Sequence, residues 1–275
     1  MNSESFKQLL TTVQEKKPLI HQITNTVTMN DCANVTLAIG ASPVMAFSKH
    51  EVADMVSLAN ALVINFGTID EYTFHSMLIA GNRANELRIP VVVDPVGAGA
   101  TPYRTKVIQE FIHQIDVAII RGNISEIDAL LNGASTTRGV DAGEVSESKH
   151  RLAENAAKKW DTVVAISGET DFISDGTNTY KLMNGDRLLT MITGTGCMSA
   201  ALIASFAAIS KDFLLAAIAG TSVMSIAGEV AKQTIGNGQK SLGTYKENVM
   251  NTVSNFSDQS LYENIKICKS NEVVI

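Results

Sequence analysis

The sequence has few of the positive charges that a nucleic-acid-binding surface requires. Its 275 residues include 22 Lys and Arg against 28 Asp and Glu, a net charge of -6, and no basic run longer than a Lys-Lys pair. Because DNA and RNA are bound by clustered positive charge, we predict no nucleic-acid partner. Only anions that are small or shielded by a metal ion remain plausible ligands.

Cysteine is also scarce, and its spacing follows no known metal or disulfide pattern. Cys32, Cys197 and Cys268 are an odd number, lie far apart and form no CxxC pair. This usage is typical of a reduced, cytoplasmic protein without structural zinc. The N-terminal residues show no basic segment leading into an apolar one, so we expect no signal peptide.

Long uninterrupted apolar runs are missing as well, with one exception to consider. Residues 188–210 carry no charge, but they contain the polar turn Thr193-Gly194-Thr195-Gly196, and the apolar part that follows is too short to span a bilayer. The next apolar run, 213–228, is shorter still. We therefore predict no membrane segment and interpret both runs as buried helices.

What the sequence does have is a regular alternation of apolar runs and helical patterns. Five prolines and 45 % hydrophobic residues fit a compact body with a large core. Continuous apolar strands separated by helices predict an α/β fold with a mostly parallel sheet covered on both faces. No linker or repeat interrupts the chain, so we predict one domain over residues 1–275. The predicted strands are 61–65, 89–94, 117–121 and 162–167, followed by a hairpin that turns at Asp175-Gly176.

Two local patterns refine this prediction. Ser48-Lys49-His50-Glu51 has the spacing of a capping box that opens a helix reaching about residue 60. Residues 213–267 have mostly helical spacing.

Polar side chains recur where the predicted strands end. The strands run into Asn65-Phe66-Gly67, Asp94-Pro95, Arg121-Gly122 and Ser167-Gly168. Ligands of open parallel sheets bind outside the carboxyl ends of the strands. We therefore predict that Asp94, Arg121 and Ser167 face one crevice.

The turn Thr193-Gly194-Thr195-Gly196-Cys197 precedes a small-residue helical pattern. The first amides of a helix have no internal partner and carry about half a positive charge, and glycine lets an anion approach the backbone. Gly194 and Gly196 thus predict a cradle for a phosphoryl group. The partial positive charge at this helix start should also favour the thiolate form of Cys197.

The combination of these groups points to phosphoryl transfer. Glu126 opens the helix after the Arg121 strand, and with Asp94 it could hold Mg²⁺ directly or through water, while Arg121 could bind phosphate oxygens. Taken singly, each of these residues is more often an ordinary helix acid or surface partner. Together, an arginine, two carboxylates, a hydroxyl and a glycine turn are best explained by an anionic ligand with a cation. The chain has no GxxxxGK[ST] sequence, which excludes a P-loop enzyme.

Three motifs give the chain a specific resemblance. The stretches 94–104 (DPVGAGATPYR), 121–126 (RGNISE) and 193–197 (TGTGC) resemble the hydroxyethylthiazole kinase family, which belongs to the ribokinase-like superfamily. The likeness extends over nearly the whole chain and includes 25–30 (NTVTMN) and 42–45 (SPVM). It implies a three-layer α/β/α sandwich and transfer of the ATP γ-phosphate to the primary alcohol of 4-methyl-5-(2-hydroxyethyl)thiazole, a salvage step toward thiamine.

The resemblance also implies a role for each matching residue. It assigns Arg121 and Ser167 to ATP, Asp94 and Glu126 to Mg²⁺ and its waters, and the amides of residues 194–197 to the transferring phosphoryl group. Met45 and Gly194 would touch the thiazole, with Asn25 and Val27 as further pocket candidates. It implies a homotrimer with sites between subunits.

One position departs from the wider superfamily. Most ribokinase-like enzymes have an aspartate where this chain has Cys197, and that aspartate acts as a base toward the substrate hydroxyl. A thiol accepts hydrogen bonds weakly, but a loose phosphoryl-transfer transition state needs little early deprotonation. We therefore expect Cys197 to position the alcohol and at most to act as a weak base.

Several other functions are compatible with the residues alone. A related kinase could act on a hydroxymethylpyrimidine or a sugar, although the apolar pocket candidates Val27 and Met45 disfavour a sugar. Cys197 could be the nucleophile of a hydrolase or acyl transferase, but no base partner stands at a motif-like position. A regulator that binds nucleotide without turnover is also consistent with the sequence.

Overall fold

Nine strands form one sheet in the computed structural model, which describes residue 6 and residues 8–133, 142–235 and 241–270, with the backbone only for 142–148. Their order is β2-β1-β3-β4-β5-β6-β7-β8-β9. The first six run parallel, and β7 to β9 continue the sheet antiparallel. The strands are β1 (Leu19–Ile23), β2 (Ser42–Val44), β3 (Ala61–Asn65), β4 (Val91–Asp94), β5 (Ile119–Asn123), β6 (Val163–Ser167), β7 (Asp171–Ser174), β8 (Thr179–Leu182) and β9 (Ile267–Lys269).

Both faces of the parallel part are buried because alternate side chains enter different cores. On β3, Ala61 and Val63 join one apolar cluster while Leu62 and Ile64 join the other. Strand side chains alternate between the two faces of a sheet, so an uninterrupted apolar strand needs cover on both sides. The continuous apolar runs in the sequence are thus explained by the packing.

Helices provide that cover. The first cluster lies beneath α1 (Leu9–Lys16), α2 (Met29–Ala38), α8 (Thr195–Ala207), α9 (Phe213–Thr234), α10 (Leu242–Ser254) and α11 (Asp258–Asn264). The second lies beneath α3 (Val52–Leu58), α4 (Glu71–Leu87), α5 (Pro102–Gln114), α6 (Ile124–Asn132) and α7 (Ala142–Trp160). The prediction of a three-layer α/β/α sandwich with a mostly parallel sheet is confirmed.

The prediction that a capping box at residues 48–51 starts a helix is wrong, because no side-chain cap forms there. Helix α3 begins at Val52, and its N-cap residue, Glu51, makes no side-chain capping bond. The Ser48 hydroxyl instead accepts a hydrogen bond from the His50 amide at 3.3 Å. Residues 48–51 form a turn of their own because the Ser48 carbonyl also accepts from Glu51 and Val52.

Helices α8 and α9 form the most apolar part of the fold. Helix α9 has the length and composition of a membrane-spanning helix, but 83 % of its most apolar window is buried inside the protein. Helix α9 approaches α8 closely where Gly220 faces the backbone of Ile203. The helical parts of the two runs, α8 and α9, are buried as the sequence predicted, whereas Arg187–Met191 form a short 3-10 helix without buried residues.

Candidate active site

The strand ends of β3 and β4 bring an amide and a carboxylate together. Asn65 and Asp94 are paired in the sheet register, and Asn65 Nδ2 donates a hydrogen bond to Asp94 Oδ2 at 2.7 Å. Asn65 Nδ2 also lies 3.3 Å from Cys197 Sγ, at the start of α8. One amide therefore contacts both the carboxylate and the thiol.

A second amide reaches the same sulfur from the loop after β1. Asn25 Nδ2 donates to Asn65 Oδ1 at 2.9 Å and lies 3.3 Å from Cys197 Sγ. Its Oδ1 accepts from the backbone amides of Val27 and Thr28, both at 3.0 Å. Because both ends of the Asn25 side chain are bonded, the loop after β1 is fixed against the glycine turn.

Burial suppresses ionisation of Cys197, contrary to the sequence-based expectation. Burial raises the pKa of the thiol, and the nearby Asp94 charge raises it further. Hydrogen bonds from Thr28, Asn65 and Asn25 oppose this rise without cancelling it. The predicted thiolate is therefore wrong, because desolvation and a like charge outweigh the field of the helix N-terminus.

Asp94, which is bonded to Asn65 next to the Cys197 thiol, is fully buried. Burial raises its pKa to about 7; Arg121 acts to lower it, and Glu126 acts to raise it. Its Oδ1 has no hydrogen-bond partner among the described residues. A buried carboxylate oxygen without a partner carries a desolvation cost that a cation or a donor would relieve.

The glycine turn is shaped by two neighbours. Gly194 has φ +90°, in the left-handed region, and a Cβ there would lie 2.7 Å from Thr28 Cγ2. A Cβ on Gly196 would overlap Nη1 of Arg121, so the guanidinium group lies directly on this turn. Gly194 is thus required both by close approach and by backbone conformation, whereas Gly196 leaves the space that the Arg121 guanidinium occupies.

A cavity of about 810 Å³ opens beside the turn. Arg121 and Ser167 line it together with Thr195 and Ser199 of α8, whereas Asp94 does not. The predicted crevice is therefore confirmed for two of the three strand-end residues, and Asp94 lies buried beside it. The other lining residues are Asn123, Gly168, Glu169, Asp171, Asn184, Gly185, Asp186, Arg187, Leu189, Thr190, Thr221, Met224 and Ser225.

Glu126 is held by the backbone of two loops. Its Oε2 accepts from the Asn123 amide at 2.9 Å and its Oε1 from the Gly97 amide at 3.0 Å. Asn123 Oδ1 in turn accepts from the Glu126 amide, which completes a capping box at the start of α6. Both carboxylate oxygens are thus held by backbone amides, and the Glu126 charge acts on Asp94.

Comparison with known proteins decides the family. The sequence profile of the hydroxyethylthiazole kinase family matches residues 10–259. The chain belongs to this family. It is 46 % identical over 260 residues to the hydroxyethylthiazole kinase of Alkaliphilus oremlandii, covering 94 % of this chain and 96 % of that protein. It is 44 % identical over 268 residues to that of Ruminiclostridium cellulolyticum, covering 96 % and 97 %.

Solved structures agree with this assignment. The structure of a hydroxyethylthiazole kinase protein from Pyrococcus horikoshii matches with a TM-score of 0.87 and 38 % identity, over 97 % of this chain and 99 % of that one. The pyridoxal kinase of Staphylococcus aureus in complex with ADP matches with a TM-score of 0.60 at 16 % identity, over 76 % and 87 %. That second likeness concerns the fold alone.

Met45 and Val27, two of the substrate-pocket candidates in this hydroxyethylthiazole kinase family member, lie outside the cavity lining. Met45 follows the edge strand β2, where it is half-buried against the first apolar cluster. Val27 is 66 % exposed. The Val27 amide donates to Asn25 Oδ1, and Asn25 contacts Cys197, so Val27 lies next to the thiol although none of these three residues lines the cavity.

Sequence reasoning noted Asn65 at a strand end without giving it a role, and it missed Asp171 and Thr221. Asn65 ends an apolar strand just as Asp94 does, so the strand-end pattern could have found it. Asp171 begins β7 and Thr221 lies inside the apolar helix α9, where no local pattern distinguishes a cavity residue from core.

Proposed function

We propose that this protein transfers the γ-phosphate of ATP to the primary alcohol of 4-methyl-5-(2-hydroxyethyl)thiazole, in a salvage step toward thiamine. The single observation that carries the chemistry is the Arg121 guanidinium resting on Gly196, at the N-terminus of α8. A guanidinium cation and the first amides of a helix at one point suit a phosphoryl group in transfer. Family membership supplies the identity of the alcohol.

ATP would occupy the cavity beside the turn. Arg121 would bind phosphate oxygens, Ser167 would donate from the end of β6, and the amides of residues 194–197 would receive the γ-phosphoryl group. The cavity of about 810 Å³ is large enough for a nucleotide. Cys197, with two amides at its sulfur, would position the substrate hydroxyl rather than attack it.

The donor set at Asp94 and Glu126 fits Mg²⁺ bound mainly through phosphate and water. Asp94 Oδ1 is a buried, unpartnered carboxylate oxygen, and Glu126 lies near enough to affect the Asp94 pKa. No group of three or more metal-ligating side chains occurs in the part of the chain that the structure describes. This is typical of magnesium in kinases, which keeps several waters and few protein ligands. When bound, the ion would neutralise charge on the transferring phosphate.

The pocket for the thiazole would be completed by a second subunit. Val27 and Met45 offer apolar surface and a flexible thioether, and Gly194 would lie beneath the ring. Val27 is exposed in the single chain, which supports the homotrimer with sites between subunits. A cytoplasmic, single-domain enzyme is consistent with three free cysteines and one continuous sheet.

The direct test compares three alcohols. The protein is incubated with ATP and Mg²⁺ plus the thiazole alcohol, a hydroxymethylpyrimidine or a sugar, and phosphorylated product is measured by mass spectrometry. We expect the highest kcat/KM for the thiazole alcohol. Absence of ATP-dependent thiazole phosphate at saturating substrate would rule the proposal out.

A second test concerns Cys197. If its sulfur only positions the alcohol, Cys197→Asp should remain active, since the amides of Asn25 and Asn65 can donate to a carboxylate. A covalent adduct trapped on the wild-type cysteine, together with an inactive Cys197→Asp variant, would instead indicate a nucleophile. No histidine is hydrogen-bonded to this thiol among the described residues, which argues against that outcome.

A further inference from the structure

One buried hydroxyl of the cavity wall has no partner. Thr221 lies on α9, is 5 % exposed and lines the cavity. Its Oγ1 makes no hydrogen bond to any described residue, not even to a carbonyl of its own helix. A buried hydroxyl without a partner is costly, and native proteins seldom keep one without a reason.

The packing of α9 fixes the backbone that carries this hydroxyl. A Cβ on Gly220 would lie 2.5 Å from the backbone N and Cα of Ile203 in α8. The two helices therefore touch backbone to backbone immediately before Thr221. This close approach fixes the position of α9 against α8, so the backbone of Thr221 stays at the cavity wall and only rotation of the side chain changes what its hydroxyl meets.

The neighbouring polar groups indicate which part of a ligand meets this wall. Ser225, one turn further along the same face of α9, donates to Oδ2 of the buried Asp171 at 3.4 Å. Asp171 Oδ1 accepts from the Gly168 amide at 2.8 Å. A buried carboxylate repels phosphate, whereas hydroxyl and amino groups can bind beside it.

We propose that the Thr221 hydroxyl hydrogen-bonds the uncharged nucleoside part of the nucleotide that fills this cavity. The inference rests on the proposed ATP-dependent function and assigns a specificity-determining contact within it. Arg121 and the glycine turn bind the phosphate end, and the wall made by Thr221, Ser225 and Asp171 binds the ribose or base.

Three variants of the full-length protein test this assignment. Thr221→Val keeps the shape and removes the hydroxyl, and Thr221→Ser keeps the hydroxyl. Ser222→Ala is the matched control, because Ser222 Oγ is also buried and unpartnered on α9 but does not line the cavity. For each protein, the KM for ATP, the inhibition constant of adenosine and the Tm without ligand are measured.

We expect Thr221→Val to raise both the KM for ATP and the inhibition constant of adenosine by roughly 3- to 10-fold, the value of one hydrogen bond. Its Tm without ligand should rise, because an unpaired buried hydroxyl is removed. Thr221→Ser should stay near the wild type in both constants, and Ser222→Ala should raise only the Tm. A purely structural role for Thr221 would not weaken nucleotide binding while stabilising the free protein.

Two results would overturn the inference while leaving the proposed function intact. The first is a Thr221→Val enzyme with wild-type constants for ATP and adenosine. The second is a weakened KM for ATP with an unchanged inhibition constant for adenosine, which would move the contact to the phosphates. A wild-type protein that neither uses nor binds ATP would instead disprove the proposed function.

Discussion

At the scale of single residues, the site is held together by side-chain amides. Asn65 bonds Asp94 and Cys197 through one nitrogen, and Asn25 bonds Asn65 and Cys197. Amides carry no charge, so they can fix a buried carboxylate and a thiol without changing the net charge of the pocket. The charged groups Asp94 and Arg121 could be predicted from sequence because they end apolar strands. The hydrogen bonds of the two amides could not be predicted, since they join residues 29 to 172 positions apart.

The first prediction concerns the contact between Gly196 and Arg121. In Gly196→Ala the new methyl group would occupy the space of Arg121 Nη1 and displace the guanidinium from the turn. Because a charge-assisted hydrogen bond contributes about 1.5 to 3 kcal/mol, the KM for ATP should rise roughly 10- to 100-fold. The Tm should change little, since a flexible side-chain end can move aside. Steady-state kinetics checks this.

The control for that substitution lies on α10. A Cβ on Gly243 would meet no atom within 4 Å, so Gly243→Ala should keep the wild-type KM for ATP. An unchanged KM in Gly196→Ala would contradict the assignment of Arg121 to the nucleotide.

The second prediction concerns how the contribution of Asp171 to stability depends on pH. Burial raises its pKa from 3.8 to about 6, although the Gly168 amide and Arg121 act in the opposite direction. The unfolded chain therefore loses this proton before the folded protein does, and the contribution of Asp171 to stability falls as pH rises from about 4 to 6. Asp171→Asn removes the charge but keeps an acceptor for Gly168. It should be more stable than the wild type at pH 7 by about 3 kcal/mol, with the gap closing near pH 4.

The measurement is urea unfolding of both proteins between pH 4 and 7. Asp175, in the following hairpin turn, gives a control of opposite sign: burial raises its pKa, but the amides of Asn178 and Thr177 outweigh this and lower it. Asp175→Asn should therefore be less stable than the wild type at pH 7. Parallel pH profiles for Asp171→Asn and the wild type would disprove the assigned titration.

At the scale of helices and strands, periodicity carried most of the information. The apolar runs before Asn65, Asp94 and Arg121 are strands, and the hairpin turns at residues 175–178 between β7 and β8. Edge strand β9 was missed because three residues are too few to show a period. The capping box at Ser48 failed for another reason. A capping motif describes local hydrogen bonds, and a turn can satisfy the same groups without a helix.

The prediction at this scale concerns the contact between α8 and α9. Gly220→Ala would place a methyl group against the Ile203 backbone, which cannot rotate away as a side chain can. Overpacking of this kind costs about 1 to 3 kcal/mol, so the Tm should fall by several degrees. Thermal unfolding followed by circular dichroism measures it.

The α10 substitution Gly243→Ala again serves as the comparison. It adds the same methyl group at an open helical position and should leave the Tm unchanged or slightly higher. If Gly220→Ala were as stable as Gly243→Ala, the close approach of the two helices would not be a constraint on the fold.

At the scale of the whole molecule, the sheet order separates two parts of the expected site. Met45 follows β2 at one edge, and Asp94 ends β4, with β1 and β3 between them. Neighbouring strands lie about 4.8 Å apart, so the two positions are roughly 14 Å from each other across the sheet. This separation could not be foreseen from sequence, because the parallel order of strands depends on long-range pairing. It favours a site to which Met45 contributes from another subunit.

Subunit mixing tests that arrangement. Met45→Asp should impair the thiazole pocket and Arg121→Ala the nucleotide site, so each variant alone should be nearly inactive if the protein is the proposed homotrimer. If Met45 serves the neighbour's site, denaturing and refolding the two variants together at equal ratio should restore about a quarter of wild-type activity, since each site draws one intact residue from each of two subunits at random.

Arg121→Ala mixed with Asp94→Ala is the control, because those two side chains interact within one chain and should not complement. Light scattering should give three times the 29.4 kDa chain mass. A trimer in which the first pair recovers no more activity than the control pair would place Met45 in the site of its own chain.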